Sequence, residues 1–340
     1  MWAENCEDVA FNTFPAAVMP DFKALRYITS PNHVLSDSKN HNPGIDNSGP
    51  FLAMNPFSSR CCQHNHSQGW PYYSEHLVMA TPDNGAALVF YASNTTKMKV
   101  AGGNDITIVE ETNYPFEEGI NITLKMNNDI EFPVYLRVPS WADNASVSVN
   151  GRSLDLKPEA GKYIRINRKW NNDDKIELNL PMNLSLRTWT TNKNSVSVDY
   201  GPLTFSLKID ENYIKRDSKE TAIGDSRWQK TANSEEWPSY EIYPESDWNY
   251  SLVLGKEDTF KDFRVVHKEW PSDDFPFTQE SCPIEIKAIG RKIPSWKIDK
   301  YGLCHELPDE NVKKGEKENI TLIPMGAARL RISAFPNSYE

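Results

Sequence analysis

The chain has 340 residues, with 37 basic against 47 acidic side chains and a formal charge of −10. At roughly 100–200 residues per domain, that length accommodates two or three domains, each able to bury a core without staples. An acidic balance with no strong basic cluster excludes the electrostatic footprint of a nucleic-acid-binding protein. No run of about 18 apolar residues is present, which excludes a helical membrane span.

Residues 2–11 read as an amphipathic helix, with Trp2, Cys6 and Val9 at i, i+4 and i+7 and with Glu4, Asn5, Glu7 and Asp8 on the other side. A capping residue would have to precede Met1, and the first residues lack the basic-then-apolar pattern of a secretory signal. The chain therefore reads as starting inside structure. From Pro31 to Pro56 it turns polar and loop-like, at a length more often functional or mobile than merely connecting. The run Cys61-Cys62-Gln63-His64-Asn65-His66 then leads into a helix expected over about 64–80, where Tyr73, Leu77 and Ala80 keep helical spacing and Pro71 imposes a kink.

Asp83-Asn84-Gly85 stops that helix, and the hydrophobic period changes from about 3.6 to 2. Strands are expected at 88–91, 106–109, 120–124, 134–138, 146–149, 163–166 and 176–180. Asn150-Gly151 between two of them is a strong hairpin signal. Strands at this spacing describe a β-sandwich. Residues 211–275, rich in Asp, Glu, Trp and Pro, read as a long excursion or insertion. Strand patterns return at 284–288, 320–323 and 328–332.

The vicinal thiols are the chemical feature that stands out. A thiolate is both a strong nucleophile and a zinc ligand. Cys61 and Cys62, beside His64 and His66, could serve as nucleophile, as metal ligands or as both. Two buried small hydrophobes or a vicinal disulfide are the plainer readings. Adjacent cysteines do not match the usual C-x-x-C spacing of structural zinc sites, and this segment alone completes a tetrahedral site only by recruiting the histidines.

The string Cys-Cys-x-x-Asn opening a helix that ends in Met-Ala, followed by Asp-Asn-Gly and a strand, resembles the glycoside hydrolase family 127, the β-L-arabinofuranosidase-like proteins. The downstream runs agree in order: Glu111 to Phe116, Leu136 to Ala142, Val147 to Gly151, Tyr163 to Ile166 with Trp170, and Gly201 to Leu203. The likeness covers about residues 1–210 well and the last strands loosely. It implies a mixed, mainly β fold, in which the last helices of an (α/α)6 barrel precede β-sandwich domains of jelly-roll type. The expected boundaries are 1–85 for the barrel remnant, 86–210 for a β-sandwich, and 211–340 for the insertion with further strands.

The resemblance also implies a retaining glycosidase with a zinc-bound cysteine nucleophile, acting on plant-type glycans. By position Cys61 would attack the anomeric carbon, and Cys62 with Cys61 would hold Zn2+. His64, Asn65, His66 and Trp70 would be candidates for contact with the sugar. The family's remaining ligands, a Glu and a Cys of a Glu-x-Cys motif, and its acid/base Glu precede the matched segment. Glu4 and Cys6 spell Glu-x-Cys, but the run Glu7 to Asn12 matches a later helix, so neither is assigned. The chain is thus expected to be the C-terminal part of a longer enzyme, partnered by the missing barrel or by a second copy. A full-length member would be periplasmic or extracellular. The other reading is a catalytically silent β-sandwich module, which would leave apolar barrel residues such as Trp2 and Val9 exposed. Cys282 and Cys304 would pair only in an exported protein. Six Asn-x-Ser/Thr sequons, at Asn94, Asn121, Asn144, Asn183, Asn249 and Asn319, carry little weight in an Asn-rich chain.

Overall fold

The computed structural model describes residues 2–39, 53–54, 60–217, 233, 235–299, 303–309 and 311–340. The chain is mainly β, as expected, with its longest helix at Arg60–Glu75. It divides into two compact units.

The first unit comprises Met1–Ala10, Gly69–Leu184 and Tyr200–Leu203. Its larger sheet has six strands, in the order Arg152–Ser153, Ser146–Val149, Asp174–Asn179, Gly119–Met126, Asn104–Glu111 and Asn94–Val100. A four-stranded sheet runs Tyr163–Trp170, Ile130–Arg137, Ala86–Leu88 and Val78–Ala80. Strict alternation explains why these segments are strands. In Gly119–Met126, Ile120, Ile122, Leu124 and Met126 are buried while Asn121 and Lys125 face water. Each such aliphatic side chain contributes roughly 1.5–3 kcal/mol of burial, so a polar residue at Ile122 would break the face. Trp170 is fully buried in the other sheet, and its indole N–H donates to the Phe132 carbonyl at 2.9 Å.

The Asn150-Gly151 turn is the expected hairpin. Both residues have positive φ, 52° and 73°, and Val149 lies opposite Arg152. Asp83-Asn84-Gly85 is likewise a hairpin turn, joining Val78–Ala80 to Ala86–Leu88, rather than the end of a helix. Gly85 is required there, because a Cβ would lie 2.2 Å from the Pro133 carbonyl oxygen.

The second unit comprises Phe11–Gln68, Ser185–Asp199 and Thr204–Glu340. Its eight-stranded sheet includes Ser195–Tyr200, Leu203–Leu207, Lys317–Pro324, Ile284–Lys292 and Tyr250–Leu254 in that order. Leu203–Leu207 and Tyr250–Leu254 are buried along their whole lengths. A four-stranded sheet pairs Leu25–Arg26, Ala53–Met54, Ser239–Pro244 and Glu211–Arg216. The stretch 211–275, expected as irregular, thus carries strands at Glu211–Arg216, Ser239–Pro244, Tyr250–Leu254 and Arg264–His267. The expected loop over 31–56 lies mostly outside the described residues.

The first helix needs two corrections. It is α-helical over Trp2–Asp8, then widens into a π-helical turn at Val9–Thr13. Its buried residue is Glu7 from the polar side, whereas Trp2 and Val9 are 85% and 51% exposed. The expected strand at 328–332 is reduced to Arg331–Ile332, preceded by a 3-10 turn at Met325–Ala327. There the arginines serve the surrounding carbonyls: Arg329 Nε donates to Val18 O at 3.1 Å, and Arg331 Nη1 to Ala328 O at 3.3 Å.

Candidate functional site

The cysteine pair lies in the first turn of the helix Arg60–Glu75, which begins and ends about four residues earlier than the spacing of Tyr73, Leu77 and Ala80 suggests. Tyr73 and Leu77 are buried as expected, but Leu77 follows the helix and Ala80 belongs to a strand. At about 100° per residue, Cys61, His64 and Asn65 share one side of the helix, and Cys62, His66 and Trp70 share another. Burial follows that division. The first three are exposed and the second three half-buried. The side chain of Gln63 lies outside the described residues.

The two sulfurs are 3.7 Å apart and carry thiols rather than a disulfide. Exposure of Cys61 also sets aside the reading of two buried hydrophobes. His66 is held firmly. Its ring stacks on Phe14 at 3.8 Å and 6°, and its Nε2 is 3.0 Å from the Phe14 carbonyl oxygen. Nε2 must therefore carry a proton and donate, which leaves Nδ1 as the acceptor of the neutral ring. Burial pushes the imidazole below its ordinary value, against the pull of that carbonyl, and favours the neutral form. Trp70 meets Tyr73 edge to face at 5.9 Å, and Tyr73 lies 4.7 Å from Phe90. His76 Nδ1 lies 2.7 Å from the Tyr72 carbonyl oxygen, at the end of the helix.

Glu4 and Cys6 behave as ordinary helix residues. Glu4 accepts the backbone N–H of Ser140 at 2.6 Å, which holds its carboxyl below the usual range although partial burial opposes this. Burial, with Glu7 next to it, pushes the Cys6 thiol up. Cys282 and Cys304 are separate thiols.

The donor chemistry of the pair can be tested against zinc, the metal that the resemblance implies. Two thiolates on one tetrahedral zinc, each about 2.3 Å from it, lie about 3.8 Å apart. The observed 3.7 Å fits that spacing without movement of the backbone. Among the described residues, no group of three or more His, Cys, Asp and Glu gathers around a common point. The pair thus fits as two of the four donors of such a site. Phe14 was not anticipated as a functional neighbour, and nothing in its local sequence distinguishes it from a core aromatic.

The sequence profile of the β-L-arabinofuranosidase GH127 catalytic domain matches residues 1–75, and that of the GH127 middle domain matches residues 86–182. No curated protein matches the chain. Among solved structures, a glycoside hydrolase superposes with a TM-score of 0.68 at 19% identity, covering 99% of this chain and 48% of its own. A GH127 β-L-arabinofuranosidase from Geobacillus stearothermophilus T6 gives 0.64 at 18% identity, covering 100% and 46%. A further GH127 β-arabinofuranosidase gives 0.62 at 19% identity, covering 99% and 46%. The chain spans about half the length of these solved structures.

Proposed function

The chain belongs to the GH127 family of β-L-arabinofuranosidase-like proteins, and we propose that it is the C-terminal part of a retaining glycoside hydrolase acting on plant-type glycans that carry L-arabinofuranose or related sugars. The observation that carries this reading is the side-by-side placement of Cys61 and Cys62, 3.7 Å apart, inside the segment matched to the catalytic domain.

The two thiols differ in setting, and the difference suggests their roles. Cys61 is exposed and able to reach a substrate, whereas Cys62 is half-buried on the side of the helix fixed by His66 and suits a stationary ligand. Cys61 Sγ, as thiolate, attacks the anomeric carbon while the bond to the leaving oxygen breaks and that oxygen takes a proton from an acid. Water then attacks the same carbon and gives its proton to the conjugate base of that acid, the C–S bond breaks, and the thiolate returns with net retention. Zinc, when bound, supplies the charge that keeps the sulfurs deprotonated. The acid/base carboxylate and the remaining donors are not assigned to residues of this chain. His64 and Asn65 on the Cys61 side, and His66 Nδ1 and Trp70 on the other, are the groups offered to sugar hydroxyls and ring faces.

Zinc content and release of nitrophenolate from 4-nitrophenyl β-L-arabinofuranoside test the reading. Zinc should be retained by the unmodified chain and lost in Cys62→Ala. Hydrolysis should be lost in Cys61→Ala. A second reading, a module silent on its own, is favoured by one observation: the described residues gather no third metal donor. A folded chain that takes up no zinc and hydrolyses no glycoside would point to it.

A further inference from the structure

The second unit contains a cavity of about 370 Å³ whose lining the cysteine chemistry does not use. Six charged side chains line it: the carboxylates of Asp210, Glu211, Glu245 and Glu280, and the cations of Lys208 and Arg329. Arg329 is 2% exposed and ties its Nε to Val18 O and its Nη1 to Phe277 O, yet its Nη2 has no hydrogen-bond partner. A buried guanidinium nitrogen left unpaired costs free energy that a ligand oxygen would recover. Gln279 is similarly half-used. Its Nε2 donates to Ile209 O at 2.8 Å, which leaves the amide oxygen as an acceptor. Glu211 is already committed to the Leu330 N–H and the Tyr213 hydroxyl.

We propose that this cavity is a binding subsite for a neutral saccharide. The volume falls within the roughly 300–1,000 Å³ of small-molecule sites. Four carboxylates against two cations repel a phosphate or carboxylate ligand. The charged lining is equally unsuited to an apolar guest. A sugar hydroxyl, by contrast, donates to Asp210 or Glu245 and accepts from Lys208 or Arg329 at once. Tyr213, 40% exposed on the same lining, offers a ring face to sugar C–H groups.

The choice of sugars as ligand class leans on the proposed glycan-acting function, but binding here needs no chemistry at Cys61. The test is saturation-transfer NMR on the full chain carrying Cys61→Ala, with methyl β-L-arabinofuranoside and methyl β-D-xylopyranoside as probes. Saturable binding of at least one glycoside is expected. It should weaken about tenfold, the scale of a lost charge-assisted hydrogen bond, in Asp210→Asn/Glu245→Gln and in Lys208→Met, with thermal melting unchanged. Failure of both glycosides to bind, binding indifferent to these variants, or saturable uptake of inorganic phosphate or calcium instead would overturn the proposal. Cavity binding without hydrolysis by the unmodified chain would count against the cysteine chemistry alone.

Discussion

Glu7 and Arg137 form an ion pair buried on both sides, with their side chains 2% and 5% exposed. The Tyr114 hydroxyl donates to Glu7 Oε1 at 3.1 Å, and the guanidinium lies 6.0 and 5.9 Å from the rings of Phe90 and Tyr91. Burial pushes the Glu7 carboxyl up against the pull of Arg137, while Glu7 outweighs the burial that opposes charge on the arginine. Removing one partner strands the other charge. Glu7→Leu or Arg137→Met alone should each cost about 3–5 kcal/mol, and the double variant should cost less than the sum. Urea unfolding of the three variants measures this.

Glu110 supplies a pH dependence. It is 1% exposed and accepts hydrogen bonds from the Ala92 N–H and the Asn94 amide. Burial nevertheless pushes its carboxyl up to about 8. Between about 4.3, the unfolded value, and 8, the folded chain keeps a proton that the unfolded chain releases. Its contribution is therefore fully present below about pH 4 and lost as the pH rises through 8, by at most roughly 1.4 kcal/mol per pH unit. Glu110→Gln should flatten the unfolding free energy between pH 5 and 8, as read by urea titration at both ends.

The thiols should separate by reactivity. Burial pushes Cys282 up to about 11 and Cys304 up to about 12, and Cys282 donates to the Ile284 carbonyl at 3.1 Å. Cys61 is exposed. Iodoacetamide at pH 8 should alkylate Cys61 in the native chain, and Cys282 and Cys304 at least about 100-fold more slowly until urea is added. Peptide mass mapping distinguishes them. Equal labelling of all three in the native chain would contradict the structure.

Legibility in the sequence followed burial geometry. Strands with one wet face, such as Gly119–Met126 and Tyr163–Trp170, announce themselves by alternation. Ser195–Tyr200 and Leu203–Leu207 do not, because both faces are covered and their serines are buried through hydrogen bonds. Ser197 donates to Ser333 O at 2.6 Å, and Ser206 pairs with the Ser333 hydroxyl at 2.7 Å. Asn94–Val100 is an edge strand with exposed Thr95, Lys97 and Lys99, so it carries no apolar signal. The first helix shows its period but not its buried side, which is set by a partner 130 residues away. At the candidate site, the cysteine pair and its histidines are legible as chemistry. The stacking of His66 on Phe14 depends on tertiary placement that no local pattern encodes. The cavity beside Arg329 is hidden for the same reason, since its lining is drawn from five separate stretches of chain.

The central claim, that Cys61 is the nucleophile, is tested most directly by peptide mapping after acid quench of the zinc-loaded chain incubated with 4-nitrophenyl β-L-arabinofuranoside. The account predicts an arabinofuranosyl adduct on the sulfur of Cys61, absent from Cys62. A Cys61 peptide that stays unmodified would contradict it.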